Sequence, residues 1–329
     1  MHVRKSCVVL LMILCGVMFL AGNCWAGSET PAAPIPSGAR QGALTLGQAT
    51  VLGVVEGLTE YLPVSSTGHL LLTERILGIG NAPDATPEQN QRTKEASDAY
   101  TICIQAGAII AVLGLYFRRV KQMLRGLVGQ DAEGRQLLFN IIAGFLPAAV
   151  IGLLFNKLIK SYLFGSWPVI LAWFVGGLAI LAGSWHNKNQ NRSGSGGLTL
   201  AELTWQMALI IGFAQCIAMW PGVSRSLVTI VGGILVGLSL SAAVEFSFLL
   251  GLVTLSAATA YDALKHGQIM LQTFDPIALG VGVFFAFVAA VLSVKWMVGY
   301  LQRHGLVLFG YYRVILALAV GALLITGSL

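Results

Sequence analysis

Two apolar stretches of this chain are broken midway by proline, glycine and serine, and both breaks follow one template. The first reads Gly53-Val-Val-Glu56-Gly-Leu-Thr-Glu60-Tyr-Leu-Pro63-Val-Ser65-Ser66-Thr67-Gly68-His69. The second reads Gly212-Phe-Ala-Gln215-Cys-Ile-Ala-Met219-Trp-Pro221-Gly222-Val-Ser224-Arg225-Ser226. Aligned without a gap at an offset of 159 residues, the distance from Gly53 to Gly212, they pair Ala49 with Ala208, Glu56 with Gln215, Val64 with Val223 and Ser65 with Ser224. Proline removes an amide donor and clashes with the preceding turn, so each helix stops or kinks at its break. Interrupted segments at matching places in two halves predict a binding site near a membrane midplane. Irregular backbone at that depth survives only when it is buried in protein or lines a wet cavity.

Composition fits an all-α polytopic membrane protein. Hydrophobic residues make up 56% and charged residues 10%, against roughly 25% charged in a soluble domain. The 39 glycines suit helices packed closely in lipid. The net charge of +6 comes from Lys and Arg in short loops between apolar runs. Such charges read as topology determinants beside anionic membrane lipid, and they do not make a nucleic-acid partner. The five cysteines form no CxxC pair and no metal-ligand spacing, so they read as small hydrophobes.

Residues 1–26 resemble a signal sequence or anchor: Arg4 and Lys5 precede an apolar run, and Cys24-Trp25-Ala26 is a loose cleavage site. Residues 27–44, with three prolines, read as a disordered exterior linker. One integral-membrane domain, 45–329, then holds ten helical segments. A first broken pair at 45–62 and 64–79 is followed by spans at 98–117, 136–158 and 167–185. A second broken pair at 203–219 and 223–239 is followed by spans at 241–263, 276–298 and 306–328. The reading is an inverted repeat, about 45–185 and 203–329, with two re-entrant helical hairpins and about six transmembrane helices. The loop 118–135, with Arg118, Arg119, Lys121, Arg125 and Arg135, is expected on the cytoplasmic side. The loop 74–98 mixes Arg75, Arg92 and Lys94 with Glu74, Asp84, Glu88, Glu95 and Asp98, and is expected outside. Lys157 and Lys160 run against this trend. The two hairpins would then enter from opposite faces, with their tips meeting inside.

The candidate site residues sit at those tips. Glu56 and Glu60 are four apart and share a helix face. Two carboxylates in apolar surroundings repel, and a divalent cation, Mg²⁺ or Ca²⁺, would relieve that; retention of a proton by one carboxyl is the alternative. Ser65, Ser66 and Thr67 follow Pro63, and His69 lies three residues after Ser66, within helical reach for proton exchange. In the second tip Arg225 needs an anion or the acids of the first tip, and its planar fork suits phosphate. Gly222 lets backbone approach a ligand, while Ser224, Ser226 and Thr229 add hydroxyls. Together these groups describe phosphoryl-group handling in a lipid-accessible cavity.

Glu56-xxx-Glu60, the Pro63-to-His69 run and Pro221-Gly-x-Ser224-Arg225-Ser226-x-x-Thr229 resemble the paired signatures of the bacterial undecaprenyl-diphosphatase family, the bacitracin-resistance type. The resemblance spans roughly residues 42–329. It implies a bacterial inner-membrane enzyme, open to the periplasm, that removes the terminal phosphate of a polyprenyl diphosphate lipid. That reaction recycles the carrier for peptidoglycan and other cell-wall polymers and gives bacitracin resistance. It implies a divalent cation on Glu56 and Glu60, with Glu60 also counted among the catalytic groups. Ser66 would be the nucleophile and His69 its base, the acid for the leaving group, or itself the nucleophile. Arg225, Ser224 and Thr229 would grip the diphosphate, with Ser226, Ser65, Thr67 and Gly222 beside them. A homodimer is left open. Leu227-Val228 stand where the family usually has Gly-Ala, and the N-terminal extension is unusual.

Two other readings compete. The type-2 phosphatidate phosphatases need a histidine six residues after the arginine, and Val231 stands there. A polyprenyl-phosphate flippase or proton-coupled transporter would use the acids and Arg225 for binding alone, and has no need of Ser66 with His69.

Overall fold

The computed structural model describes residues 44–79, 86–188 and 196–327. The expected signal sequence and nearly all of the linker lie outside the described residues, as does Asp84. The described part contains eleven α-helices and a short 3-10 turn at Leu200–Glu202. We number the α-helices α1 Leu46–Thr59, α2 Ser66–Ile76, α3 Pro87–Leu115, α4 Phe117–Leu127, α5 Ala132–Leu163, α6 Ser166–Lys188, α7 Trp205–Ile217, α8 Arg225–Leu235, α9 Leu240–Thr273, α10 Pro276–His304 and α11 Val307–Ile325.

Six of them, α3, α5, α6, α9, α10 and α11, are long and apolar enough to cross a membrane. The protein is therefore multi-pass. Local chemistry sets where its helices begin. Thr45 and Thr86 each form a reciprocal capping box with the glutamine three residues on, and Asp131, Thr204, Ser239 and Asp275 each cap an amide of the helix that follows. Pro87 and Pro276 occupy first helical positions, where a missing N–H is harmless.

The largest departures from the sequence reading are at α3, α9 and α4. Helix α3 starts at Pro87, about three turns before the apolar run, because the Thr86 box nucleates a polar extension. Helix α9 continues to Thr273 through a polar stretch. Residues 117–127, read as loop from their basic content, form the amphipathic helix α4, since Val120, Met123 and Leu127 recur at helical spacing.

The two halves exchange their hairpins. The first-half α1 packs on the second-half α10, and the second-half α7 packs on the first-half α5. Both contacts are backbone-close and use the template glycines. A Cβ on Gly53 would strike the Gly282 carbonyl and lie 3.0 Å from its Cα; a Cβ on Gly212 would strike the Gly144 carbonyl and lie 3.0 Å from its Cα. Gly53→Val, or equally Gly212→Val, is expected to lower stability by roughly 2–3 kcal/mol through overpacking, read as a fall in melting temperature in detergent.

The hairpins enter from opposite ends. Leu44, at the start of α1, is buried with Ala96, Met270, Phe274 and Ala278, where α3 and α10 begin and α9 finishes. At the other end, the Leu203 carbonyl ahead of α7 accepts from Gln136 (3.0 Å) and Asn140 (2.7 Å) of α5. Leu198 and Ser239 exchange a backbone hydrogen bond of 3.0 Å beside it. The tips therefore meet in the interior.

Candidate active site

Each tip turns on a serine with a conformation that L-residues avoid. Ser65 has φ 74° and Ser224 φ 77°; among the described residues they are the non-glycine residues with positive φ. Such backbone costs about 1–3 kcal/mol and persists only where its surroundings over-determine it. Here the tips hold one another. The Gly222 amide donates to Ser65 Oγ (3.1 Å), and Ser226 Oγ donates to the Leu62 carbonyl (2.9 Å). Gly222, at φ 97°, packs so tightly that a Cβ would lie 2.7 Å from the Val169 carbonyl of α6.

A fully buried arginine joins both tips. Arg313 of α11 donates through Nη1 to the carbonyls of Pro63 (3.3 Å) and Val223 (3.0 Å). Through Nη2 it donates to Gly222 (2.9 Å) and Ala172 (2.9 Å). Gly176 makes room for it, since a Cβ there would collide with the guanidinium. Trp173 of α6 adds a hydrogen bond from Nε1 to the Val64 carbonyl, 3.0 Å.

Inside this frame lies the charged centre. Glu60 continues the helical turn of α1, and its carboxylate is clamped from both tips. Ser66 Oγ donates to Oε2, and Arg225 Nη2 donates to Oε1 at 3.2 Å, forming a buried ion pair. Positions 66 and 225 are themselves related by the repeat offset of 159 that relates Gly53 to Gly212. The duplicated elbow thus carries a hydroxyl in one copy and a cation in the other, both aimed at one acid. The sequence left Arg225 an anion or the acids of the first tip as partner, and the structure places it on Glu60. Arg225 Nη1 also donates to the Ser247 carbonyl (3.1 Å), and its guanidinium lies 5.3 Å from the Tyr61 ring centroid. On its other side Gly251 leaves no room for a Cβ.

Glu56 sits one turn before Glu60, fully buried and facing it. Among the described residues neither Glu56 oxygen has a hydrogen-bond donor. One guanidinium thus stands beside two carboxyls, and the second needs a proton or a cation. The donor set suits a hard cation. Among the described residues no group of three or more His, Cys, Asp or Glu side chains gathers. Two carboxylates leave the remaining ligand positions to phosphate oxygens and water, the usual mode for Mg²⁺.

Other expected site residues have different partners. His69 does not pair with Ser66. Its Nδ1 lies 2.7 Å from the Ser65 carbonyl and its Nε2 lies 2.7 Å from the Tyr312 hydroxyl. A carbonyl only accepts, so Nδ1 carries the proton, and in the neutral ring Nε2 accepts from Tyr312. The two rings stack at 5.7 Å and 7°. His69 therefore secures the positive-φ turn directly before Ser66. The hydroxyls of Ser224, Ser226 and Thr229 are turned to protein groups. Ser224 Oγ caps the Leu227 amide (3.3 Å) and meets Ser226 Oγ (3.0 Å), while Thr229 Oγ1 lies 2.8 Å from the Arg225 carbonyl and 2.6 Å from Ser247 Oγ. Thr67 is half-buried beside Ser66. Arg313, Tyr312, Trp173 and Gly251 were not found from sequence. Arg313 alone had a visible signal, as an arginine inside an otherwise apolar span.

Known proteins are similar to this chain in sequence. The family described as bacitracin resistance protein BacA matches residues 49–319. An undecaprenyl-diphosphatase of Sorangium cellulosum is 44% identical over 84% of this chain and 84% of its own length. One of Nitrosomonas europaea is 40% identical over 82% and 92%, and undecaprenyl-diphosphatase 2 of Rhodospirillum rubrum is 40% identical over 83% and 93%. With the match running from α1 into α11 and taking in both tips, the chain belongs to the bacitracin resistance protein BacA family.

Proposed function

We infer that this chain hydrolyses undecaprenyl diphosphate to undecaprenyl phosphate and inorganic phosphate, the activity named for its relatives. The observation that carries the chemical reading is the clamp on Glu60. A serine hydroxyl hydrogen-bonded to a buried carboxylate is a nucleophile beside its base, and the guanidinium on the same carboxylate is placed to receive phosphoryl oxygens.

In the reaction we assign, Ser66 Oγ attacks the terminal phosphorus in line and its proton passes to Glu60. The bond from that phosphorus to the bridging oxygen breaks, and undecaprenyl phosphate departs with the electron pair. Water then attacks the phosphoserine phosphorus, the phosphorus–Oγ bond breaks, Ser66 Oγ takes back its proton from Glu60, and the proton lost by the water leaves with the inorganic phosphate. Arg225 stabilises charge on the equatorial oxygens, as phosphoryl transfer requires. His69 and Tyr312 are positioning residues that fix the Ser65 turn and so aim Ser66. Glu56 and Glu60 would hold a divalent cation, which when bound neutralises charge on the phosphate oxygens.

The basic end of the bundle, with Arg118, Lys121 and Arg125, is assigned to the cytoplasm. The first hairpin then enters from the periplasmic side of an inner membrane, which favours a site open to the periplasm. The test is phosphate release from a long prenyl diphosphate by purified protein in detergent, where no gradient exists. Ser66→Ala is expected to lower turnover at least 10³-fold, and a chelator is expected to abolish it reversibly on addition of Mg²⁺ or Ca²⁺. Lipid binding without turnover in the wild type would instead support a carrier.

A further inference from the structure

Helix α4 has three faces with different surroundings. Met123 and Gly126 are buried against the bundle. Gly126 and Gly134 bring α4 into backbone contact with the first turn of α5: a Cβ on Gly126 would lie 2.7 Å from the Arg135 Cα. Arg119 is bonded to Glu245 of α9 at 2.7 Å. The helix is therefore fixed and is not a loose connector. A second face leaves Leu124, Leu127 and the adjoining Val128 exposed, the last two by about two thirds. Helix α5 beside it exposes Phe139, Ile142 and Leu146. The third face carries Arg118, Lys121 and Arg125, all exposed, at the i, i+3, i+7 spacing that makes one stripe. Among the described residues none of these three takes part in an ion pair.

An amphipathic helix folded against the end of a membrane bundle, with an uncovered apolar face beside a basic stripe, has the chemistry of an interfacial element. The apolar face suits acyl chains at the level where α3 leaves the bilayer, and the stripe suits headgroup phosphates. We propose that α4 binds the headgroups of anionic phospholipid, with Arg118, Lys121 and Arg125 as the contacts and Leu124 and Leu127 set into the acyl boundary. The occupant is lipid and not a soluble anion, because the basic stripe adjoins an apolar face that no part of the described chain covers. The site is separate from the tips, so it stands whatever the catalytic residues do.

The test uses the full chain in detergent, titrated with dioleoylphosphatidylglycerol or dioleoylphosphatidylcholine and read by native mass spectrometry. Wild type is expected to retain the anionic lipid at least tenfold better, since each cation near an anionic surface contributes roughly fivefold. Arg118→Gln, Lys121→Gln and Arg125→Gln combined should erase that preference while leaving the lipid-free melting temperature unchanged. Leu124→Ser with Leu127→Ser should weaken retention of both lipids and keep the preference. Equal retention of the two lipids by wild type would overturn the proposal, as would a preference that survives the triple substitution. It would equally fail if inorganic phosphate displaced the lipid, or if the serine pair retained lipid like wild type.

Discussion

Gly251→Ala, a single added methyl, is expected to reduce phosphate release by at least 10²-fold while leaving the protein folded. The new Cβ would occupy the place of the Arg225 guanidinium. That guanidinium is the flexible end of a long side chain, so it yields before α9 does. Arg225 currently spans two fixed acceptors, the Ser247 carbonyl at 3.1 Å and Glu60 at 3.2 Å. A shift large enough to admit the methyl takes both contacts away and moves the charge from where the phosphoryl oxygens must sit. Loss of one preorganised donor to a developing charge typically lowers turnover 10²–10³-fold, and a misplacement of about 1 Å has a similar effect. Turnover and thermal unfolding measured on the same preparation check this. A variant that melts like wild type and loses turnover is expected; one that retains turnover would show that Arg225 tolerates displacement. Arg225→Lys should fall with it, because an ammonium cannot reach both acceptors as a fork does.

Arg313→Leu should have the largest effect on stability. The guanidinium is fully buried and serves four carbonyls, three of them in the two tips. An apolar replacement leaves those oxygens without donors in a medium that offers none, at about 1–3 kcal/mol for each. Even with partial relaxation a loss of at least about 3 kcal/mol is expected. Both positive-φ serines lean on the same turns, so activity should disappear before the bundle melts. Unfolding in detergent and turnover at low temperature separate the two effects. Arg313→Lys should recover part of the stability, since an ammonium can satisfy some of the carbonyls.

Much of this architecture was legible in the chain. Proline, glycine and serine inside apolar runs mark a broken helix in any context, so both hairpins were found, and their shared template exposed the repeat. Charge narrowed Arg225 to an anion or the acids of the first tip, since a guanidinium is not buried alone, but it did not choose between them. Assignments resting on short sequence distance fared differently. His69 lies three residues after Ser66, yet the backbone turns its ring onto the Ser65 carbonyl and a tyrosine 243 residues away. Thr229 looked like a free hydroxyl, but helix geometry points it at its own preceding turn and at Ser247. The brace of Arg313 and the space at Gly251 depend on helices far apart in sequence, which no local period encodes. Helix α4 was hidden by its own cations, which mark a membrane surface and a loop alike.

The exchange of hairpins also bears on how the protein is made. Helix α1 emerges from the ribosome early, but its main packing partner α10 is among the last segments synthesised. Until residues 276–304 are inserted, α1 lacks the helix that Gly53 and Gly57 meet backbone to backbone, so a nascent chain halted after α9 should hold a loosely seated, protease-sensitive N-terminal hairpin.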